Sequence, residues 1–322
     1  MPVRNKLISI SSISRSFVLA LFVATLLAAP ALLGGCPRQG AGTQRQEPTL
    51  TLFIHKTGEK QRMKMEQYLQ GVIAGEMEPE WPREALAAQA IVARTFTMER
   101  LAQGGVRKLH GTDACTEPTH FQAYNAAEVN ANVRAAVKAT RGQVITYRGQ
   151  LVRAWYHSAS GGTTATPAEG LDWRSGSLPY LAAVKDATIP QNTMRWQASF
   201  AVDEIRNAVG AMGGAGAEIG QVKSLRIGRR GPSGRAETLL VNGQQSVSAV
   251  KLRARLGPTR MKSTLLDSVK VQGDRVVMSG RGWGHGVGMS QWGAFALAQR
   301  GRKAPDIIRQ YYRGVNITRQ WA

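Results

Sequence analysis

The chain has 322 residues, with 42 lysines and arginines against 21 aspartates and glutamates, and a formal net charge of +21. Its two cysteines, Cys36 and Cys115, exclude a small disulfide-stapled domain, and the length is sufficient for a hydrophobic core without one. The charge indicates an acidic partner: nucleic acid, an anionic lipid surface or an anionic polymer. Because arginine is scattered along the whole chain, simple solubility is the competing explanation.

The first 36 residues have the pattern of an export signal. Three basic residues precede an apolar run from Phe17 to Leu33. The end of that run, Leu33-Gly34-Gly35-Cys36, resembles a bacterial lipobox, in which the cysteine is acylated. We therefore predict a lipoprotein signal peptide over residues 1–35, lipidation of Cys36 and a polar tether over residues 36–49. A plain signal peptide cut nearby and an uncleaved anchor are the alternatives.

Export narrows the choice of acidic partner. Removing residues 1–35 takes away three basic residues and no acidic one, which leaves a charge of +18. Nucleic acid is then a poor candidate, whereas peptidoglycan stripped of its stem peptides is a polyanion because its muramic acid residues carry free lactyl carboxylates. We expect an exported, membrane-anchored lipoprotein that faces the cell wall, in the periplasm or on the outer cell surface.

The stretch Met65–Met98 carries the main candidate for catalysis. Leu69, Val72, Ile73 and Glu76 stand at i, i+3, i+4 and i+7, so they share one face of a predicted helix. An acid on this apolar stripe is buried, and burial raises the pKa of a carboxyl, which makes it a proton donor near neutral pH. In the alternative, the helix ends earlier and Glu76 is an ordinary solvated carboxylate.

A proline-rich corner follows this helix. Its prolines disfavour helical geometry before them, and Pro82 suits the first turn of a second helix, Arg83–Leu101. Trp81 lies on the corner and can stack on a sugar ring or pack in the core. Arg94, inside the second helix, can hold a carboxylate of the substrate or pair with an acid of the protein.

The segment His110–Tyr124 contains three possible soft-metal ligands: His110, Cys115 and His120. Three ligands with an open position are typical of a catalytic metal rather than a closed structural site. A loop with a buried thiol is the simpler alternative. The sequence predicts no cofactor beyond this possible zinc.

Two further segments offer polar and aromatic groups. Two predicted strands, Val144–Tyr147 and Leu151–Tyr156, lead into a serine- and glycine-rich turn in which Ser158 and Ser160 can grip polar groups of a ligand. Trp173 can stack on a sugar or serve packing. His157 and Ser160 stand only three residues apart on a loop, so serine-protease chemistry is not predicted.

The last block, Ser279–Ala298, alternates glycine with other residues. Glycine permits backbone conformations that side chains forbid, and it lets the chain approach a ligand closely. Ser290 can cap a helix that starts near Gln291. His285 and Gln291 are the polar side chains of this block that can bind a ligand. A histidine satisfied within a tight loop is the alternative.

We predict an α+β fold with a mixed sheet core, in which a pair of N-terminal helices forms the active-site wall, plus a smaller α/β lobe. The core comprises residues 50–186 and 275–322, and the lobe is inserted between them at residues 187–274. Five elements are predicted in the lobe and at its edges: strands at Val222–Ile227, Thr238–Val241 and Val269–Val271, and helices at Phe200–Met212 and Ser246–Leu256.

Three of these segments together resemble the stage II sporulation protein D (SpoIID)/LytB family: Tyr68–Phe96, Val133–Asp186, and the Gly-His-Gly-x-Gly-x-Ser-Gln-x-Gly motif from Gly284. The resemblance implies a peptidoglycan lytic transglycosylase that cleaves MurNAc-GlcNAc bonds, with Glu76 as its catalytic acid. With this motif we expect His285 and Gln291 to lie opposite Glu76 and to orient the sugar or the acid. Some members of the family bind structural zinc near His110 with one histidine and two cysteines. Phe121 stands where we place the second cysteine.

The chemistry of such an enzyme needs one acid. Ordinary glycosidases use two carboxylates, whereas a lytic transglycosylase closes a 1,6-anhydro ring on muramic acid and consumes no water. Glu78, Glu80 and Asp172 are the possible second carboxylates that a hydrolase would need. The alternative function, suggested by the LytB side of the family, is a non-catalytic glycan-binding modifier of cell-wall amidases. Other cell-wall hydrolases are then further partners.

Overall fold

The computed structural model describes residues 46–187, 189–212 and 220–322. Its strands are β1 Thr49–Phe53, β2 Lys60–Lys64, β3 Ala114–Cys115, β4 Gln143–Tyr147, β5 Gln150–Leu151, β6 Tyr156–His157, β7 Arg195–Ala201, β8 Leu225–Ile227, β9 Thr238–Val241, β10 Gln245–Ser248, β11 Leu266–Gln272, β12 Arg275–Arg281, β13 Met289–Ser290 and β14 Asn316–Arg319. Its helices are α1 Met65–Glu76, α2 Arg83–Ala102, α3 Arg107–His110, α4 Ala131–Ala139, α5 Pro167–Leu171, α6 Pro190–Thr193, α7 Val202–Gly210, α8 Ala249–Leu256, α9 Gln291–Gln299 and α10 Ala304–Tyr311, with a 3-10 turn at Ala126–Glu128.

Some of the sequence predictions fall outside these residues. The signal peptide at 1–35, the lipidation site Cys36 and the tether up to residue 45 all lie outside the described part of the chain. Within the described part, no helix is both long and apolar enough to cross a membrane.

The strands form small sheets of two or three strands each, and the predicted α+β class is confirmed. Three of these sheets, ordered β2-β1-β3, β14-β4-β5 and β13-β6, belong to a large apolar core that α1 and α2 complete. Because α2 is rich in alanine, its neighbours approach closely, and Ala85, Ala88 and Ala90 are fully buried. This core contains the helix pair and the glycine-rich segment before α9.

A second apolar core lies in the middle of the chain, between Trp196 and Met278. It contains an antiparallel sheet ordered β11-β12-β7, a second sheet ordered β10-β9-β8, and α7 with α8. The proposed lobe boundaries at 187–274 remain a prediction. β7 and β12 pair along their whole length, Arg195 with Arg281 through Ala201 with Arg275.

Several local predictions need correction. The predicted helix Phe200–Met212 is shorter, Val202–Gly210, because Phe200 and Ala201 belong to β7. The predicted strand Leu151–Tyr156 is two short strands, β5 and β6, which pair with different partners. The predicted helix Ser246–Leu256 begins later, at Ala249, since the residues before it form β10. In each case tertiary pairing of the backbone overrides the local pattern.

Candidate active site

The helix α1 places its apolar stripe in the core and its acid at the end of the stripe. Leu69, Val72 and Ile73 are fully buried, as their spacing predicts. Glu76 is the last residue of the helix, and the chain turns to extended geometry at Met77. The helix therefore does not fray before the acid. Glu76 also lies at the negative end of the helix dipole, which favours the protonated carboxyl.

Three donors contact the Glu76 carboxylate. The Ala123 amide and the Tyr156 hydroxyl each donate to Oε1 at 2.8 Å, and the Gln291 side-chain amide donates to Oε2 at 3.3 Å. Burial raises the pKa of Glu76, and the three hydrogen bonds oppose that rise by stabilising the ionised form. The net direction is upward, so this carboxyl holds its proton at a higher pH than an exposed glutamate does.

Two glycines in α1 allow the loop that carries Ala123 to come this close. A Cβ on Gly75 would lie 2.7 Å from the Tyr124 backbone nitrogen, and a Cβ on Gly71 would lie 2.2 Å from the Tyr124 ring. Because the two glycines stand one helical turn apart, they form one flat strip on which the loop packs. The short approach is what brings the Ala123 amide within hydrogen-bond distance of Glu76.

The carboxyl opens into a cavity of about 320 Å³ with aromatic walls. Its lining comprises Glu76, Phe96, Pro118, Phe121, Trp155, Tyr156, His157, Ser158, Trp283, Gly284, His285 and Gln291. Among these lining residues, Glu76 is the single carboxylic acid. The predicted second carboxylates are elsewhere: Glu78 and Glu80 are exposed, and Asp172 pairs with Arg174 at 2.9 Å.

The glycine-rich segment before α9 forms the wall opposite α1. Gly288 has a φ of +72°, and a Cβ there would lie 1.8 Å from the Trp155 carbonyl oxygen, so only glycine fits. Ser290 caps α9 as predicted, because its hydroxyl accepts the Gly293 amide at 3.1 Å. The cap sets Gln291 at the start of the helix, facing Glu76.

His285 lies in the same wall, as predicted, but its ring is held by backbone groups. Its Nδ1 accepts the Val287 amide at 3.0 Å, and the Tyr156 backbone also hydrogen-bonds the ring. Burial, together with the nearby His157, lowers the pKa of His285 well below its ordinary value. A neutral ring held by these backbone contacts fixes the conformation of the glycine-rich wall and does not transfer protons. The neighbouring His157 is also neutral, because burial lowers its pKa to about 3.

Two residues predicted to bind substrate do not reach the cavity. The Arg94 side chain is fully buried and pairs with Glu66, Nε with Oε1 at 3.0 Å and Nη2 with Oε2 at 2.6 Å. The alternative role, pairing with an acid of the protein, is therefore the observed one. Ser160 is fully buried too: its hydroxyl accepts the Gly162 amide and its carbonyl accepts Arg235.

The other predicted contacts are Ser158, Trp173 and Trp81, and one of these three lines the cavity. Ser158 is part of its lining. Trp173 packs behind the lining residue Trp155, with 5.5 Å between the centroids of the two rings. Trp81 belongs to a different aromatic cluster, in which it packs on Trp292 at 4.5 Å and on Phe295 at 4.9 Å between ring centroids. Trp81 therefore supports the base of α9 and is not among the cavity residues.

Sequence reasoning missed the aromatic residues that line the cavity. Of these aromatic residues, Tyr156 contacts Glu76 directly, and Trp155 and Trp283 form walls of the cavity. A signal was available in the sequence, since Trp155 and Tyr156 directly precede the serine-glycine turn, and Trp283 stands inside the glycine-rich motif. Aromatic residues beside a ligand-binding motif are candidates for ligand contact.

The possible zinc ligands do lie together. His110, Cys115 and His120 have their ligand atoms within 4.8 Å of one another, and His110 Nε2 lies 3.2 Å from His120 Nδ1. Zinc–nitrogen bonds of about 2.0–2.1 Å in a tetrahedron place two nitrogens about 3.4 Å apart. The donor set and its spacing thus fit a zinc ion. Phe121 lines the cavity beside Glu76 and is not part of this cluster.

One contact of Glu76 can be tested without any assay of activity. Tyr156→Phe removes the hydroxyl that stabilises the ionised carboxyl, so we expect the pKa of Glu76 to rise further. Carbon-13 NMR titration of the side-chain carboxyl measures it. Tyr124→Phe is the matched control, because the Tyr124 hydroxyl contacts Met63 and not Glu76. An unchanged or lower pKa in Tyr156→Phe would contradict the assigned hydrogen bond.

Fold and site together define an α+β protein in which one carboxyl, among the described residues, lines an aromatic cavity. The family model described as stage II sporulation protein, SpoIID, matches residues 54–147, which include Glu76 and the possible zinc ligands. A second model, described only as a domain of unknown function, matches residues 179–288.

Relatives match over most of the chain. An uncharacterised protein of Brachyspira hyodysenteriae is 30% identical over 256 residues, 79% of this chain and 67% of the relative. Stage II sporulation protein D of Bacillus amyloliquefaciens is 29% identical over 87% of this chain and 82% of its own. The amidase enhancer of Bacillus subtilis is 30% identical over 78% of this chain, but only 40% of its own length. The chain belongs to the stage II sporulation protein D family.

Proposed function

We propose that this protein is a lytic transglycosylase that cleaves MurNAc-GlcNAc bonds in peptidoglycan. Membership of the family and the similarity to an amidase enhancer support a role related to the cell wall. The observation that supports the finer proposal is the Glu76 carboxyl: it is single among the cavity residues, its pKa is raised by burial, and aromatic walls surround it.

One carboxyl suffices for the proposed reaction. Glu76 donates its proton to the glycosidic oxygen as the bond from that oxygen to the muramic acid anomeric carbon breaks. The carboxylate then takes the proton of the C6 hydroxyl, while the C6 oxygen bonds to the anomeric carbon and closes the 1,6-anhydro ring. Glu76 is thereby protonated again. The three donors around Glu76 stabilise the ionised form between the two steps.

The cavity walls suit a sugar chain. Trp155 and Trp283 offer aromatic faces for stacking on sugar rings. The Lys262 ammonium lies 4.7 Å from the centre of the Trp283 ring, so a positive charge lies beside one wall of the cavity. A cation in this place favours the lactyl carboxylate of muramic acid that has lost its stem peptide. Stem-peptide-poor strands are therefore the proposed substrate.

Two other parts of the sequence enter the proposal. We infer that residues 1–35 direct export and that Cys36 carries a lipid anchor, so the protein acts on the wall from a membrane surface. If zinc is bound, His110, Cys115 and His120 hold it. Zinc would there fix the loop from Thr116 to Ala123, which supplies one of the donors to Glu76.

The test uses purified protein and glycan strands stripped of stem peptides, in water enriched in oxygen-18, with products identified by mass spectrometry. A lytic transglycosylase yields 1,6-anhydro ends without the label. Labelled reducing ends would instead indicate a hydrolase. If the folded protein breaks no glycosidic bond, the result contradicts the proposed activity and supports the second candidate function. That candidate, modification of a cell-wall amidase, is favoured by the similarity to the amidase enhancer, and it predicts faster amide cleavage when the protein is added.

A further inference from the structure

One more imidazole, that of His55 in the turn after β1, lies close to the His110, Cys115 and His120 cluster. Two ring centres bound to one tetrahedral zinc lie about 5.2 Å apart, given zinc–nitrogen bonds of about 2.0–2.1 Å. The centres of the His110 and His120 rings lie 5.3 Å apart. The ring of His55 lies 6.3 Å from that of His110 and 6.2 Å from that of His120.

We infer that His55 is the fourth ligand of a zinc ion held by His110, Cys115 and His120. The ring of His55 is nearly equidistant from the two histidine rings, as a further vertex of the same tetrahedron must be. A shift of about 1 Å closes the remaining difference from the ideal spacing. This ligand set differs from the one-histidine, two-cysteine pattern, because the residue at 121 is a phenylalanine that lines the cavity.

The backbone explains why residue 55 reaches the cluster. β3 pairs in parallel with β1, and the register sets Phe53 beside Cys115. The chains continue side by side, and the His55 amide donates to the Thr116 hydroxyl at 3.0 Å. The two strands thus deliver His55 and Cys115 to the same end of the sheet.

The side chain of His55 is free to take the role. It is 49% exposed, and its nearest ionic neighbour in the described residues is the Glu117 carboxylate, with 3.9 Å between His55 Nε2 and Oε2. Carboxylates beside metal-bound histidines orient the imidazole. Glu117 is therefore the residue that would hold His55 in place.

The proposed ion would connect to the cavity through a short loop. Between the ligand His120 and the Ala123 amide that donates to Glu76 stand only Phe121 and Gln122. Phe121 lines the cavity, and the Gln122 side-chain oxygen lies 3.1 Å from the Tyr156 hydroxyl oxygen. Zinc would thus fix the loop that presents these groups to the acid.

Metal binding tests this inference without any measurement of glycan cleavage, so it can fail while the proposed function stands, and the reverse also holds. Full-length protein is stripped with a chelator and then titrated with Zn²⁺ against a chromophoric competitor, and with Co²⁺ by absorption spectroscopy. We expect one metal per chain, the intense visible bands of four-coordinate cobalt and a thiolate-to-cobalt band that Cys115→Ser abolishes.

His55→Ala should weaken zinc affinity by about 100-fold or more, since even outer-shell partners of a metal-bound histidine contribute 10–100-fold. Lys56→Ala, a change of the exposed neighbouring residue, is the matched control and should leave affinity unchanged. Equal affinities in the two variants would overturn the assignment of His55. Absence of binding in the parent protein, or a thiolate band that survives Cys115→Ser, would overturn the site itself.

Discussion

Glu76→Gln is expected to slow cleavage of stripped glycan strands by about 10⁴-fold while the protein stays folded. Glutamine matches the shape of the side chain, but it can neither donate the proton to the glycosidic oxygen nor take one from the C6 hydroxyl. General acid–base catalysis typically contributes about 10²- to 10⁴-fold. Because one residue serves both steps, we expect a loss near the upper end. The rate of appearance of 1,6-anhydro ends, read by mass spectrometry, measures it.

The control for this variant is Glu78→Gln, which makes the same chemical change at an exposed position outside the cavity. It should keep the parent rate. In the parent, cleavage should fall as the pH rises through the raised pKa of Glu76, because the first step needs the protonated carboxyl. A Glu76→Gln variant that retains the parent rate would show that another group is the acid.

Glu76→Gln should not destabilise the fold at neutral pH. Burial raises the folded-state pKa of Glu76 above its ordinary value of 4.5, so the folded chain binds this proton more tightly than the unfolded chain. The contribution of the group to stability is therefore fully present below about pH 4.5 and is lost as the pH rises through the folded-state pKa. Glutamine avoids that loss, and the Gln291 amide can rotate to accept from it. Thermal unfolding followed at several pH values checks this.

Glu66→Ala is expected to have the largest effect on stability. The variant leaves the Arg94 guanidinium fully buried without its carboxylate, and it removes the acceptor of the Gly142 amide and the Trp321 indole, both 3.0 Å away. Removing one partner of a buried ion pair typically costs about 3–5 kcal/mol. We expect the free energy of unfolding, measured in urea, to fall by about that amount.

Arg309→Ala is the matched control, since it breaks the exposed pair with Asp306, and such pairs contribute about 0–1 kcal/mol. Replacing both buried partners at once, as Glu66→Leu with Arg94→Met, should recover much of the loss because no unpaired charge remains. A Glu66→Ala variant within 1 kcal/mol of the parent would contradict a stabilising role of the pair. It would also reopen the question of a substrate contact for Arg94.

The features that follow local rules were predictable. The register of Leu69, Val72, Ile73 and Glu76 depends only on the period of the helix, and the structure has the three apolar residues buried and the acid at the helix end. The start of α2 after the prolines and the serine cap of α9 also depend on neighbours within four residues. Such features are decided by backbone stereochemistry, which the sequence specifies directly.

The composition of the site was only partly predictable. We expected Gln291 beside Glu76 because the motif around Gln291 is specific, although 215 positions separate the two residues in the sequence. Tyr156 and Ala123, 80 and 47 residues from Glu76, were not expected. The sequence left two roles open for Arg94, because periodicity shows that a side chain faces the core but does not show which residues it contacts there. Its partner Glu66 stands on a different helix, 28 residues away.

The sequence by itself thus determined that α1 and α2 form a helix pair, where the candidate acid stands on its helix and that the segment before α9 needs glycine, because these depend on short-range sterics and hydrogen bonds. Only the tertiary structure decided which donors reach the acid, that no second carboxylate lines the cavity among the described residues, and that His55 lies beside the other two histidines. These are contacts between segments that are distant in the sequence. They are set by how whole surfaces pack, and no local pattern encodes them.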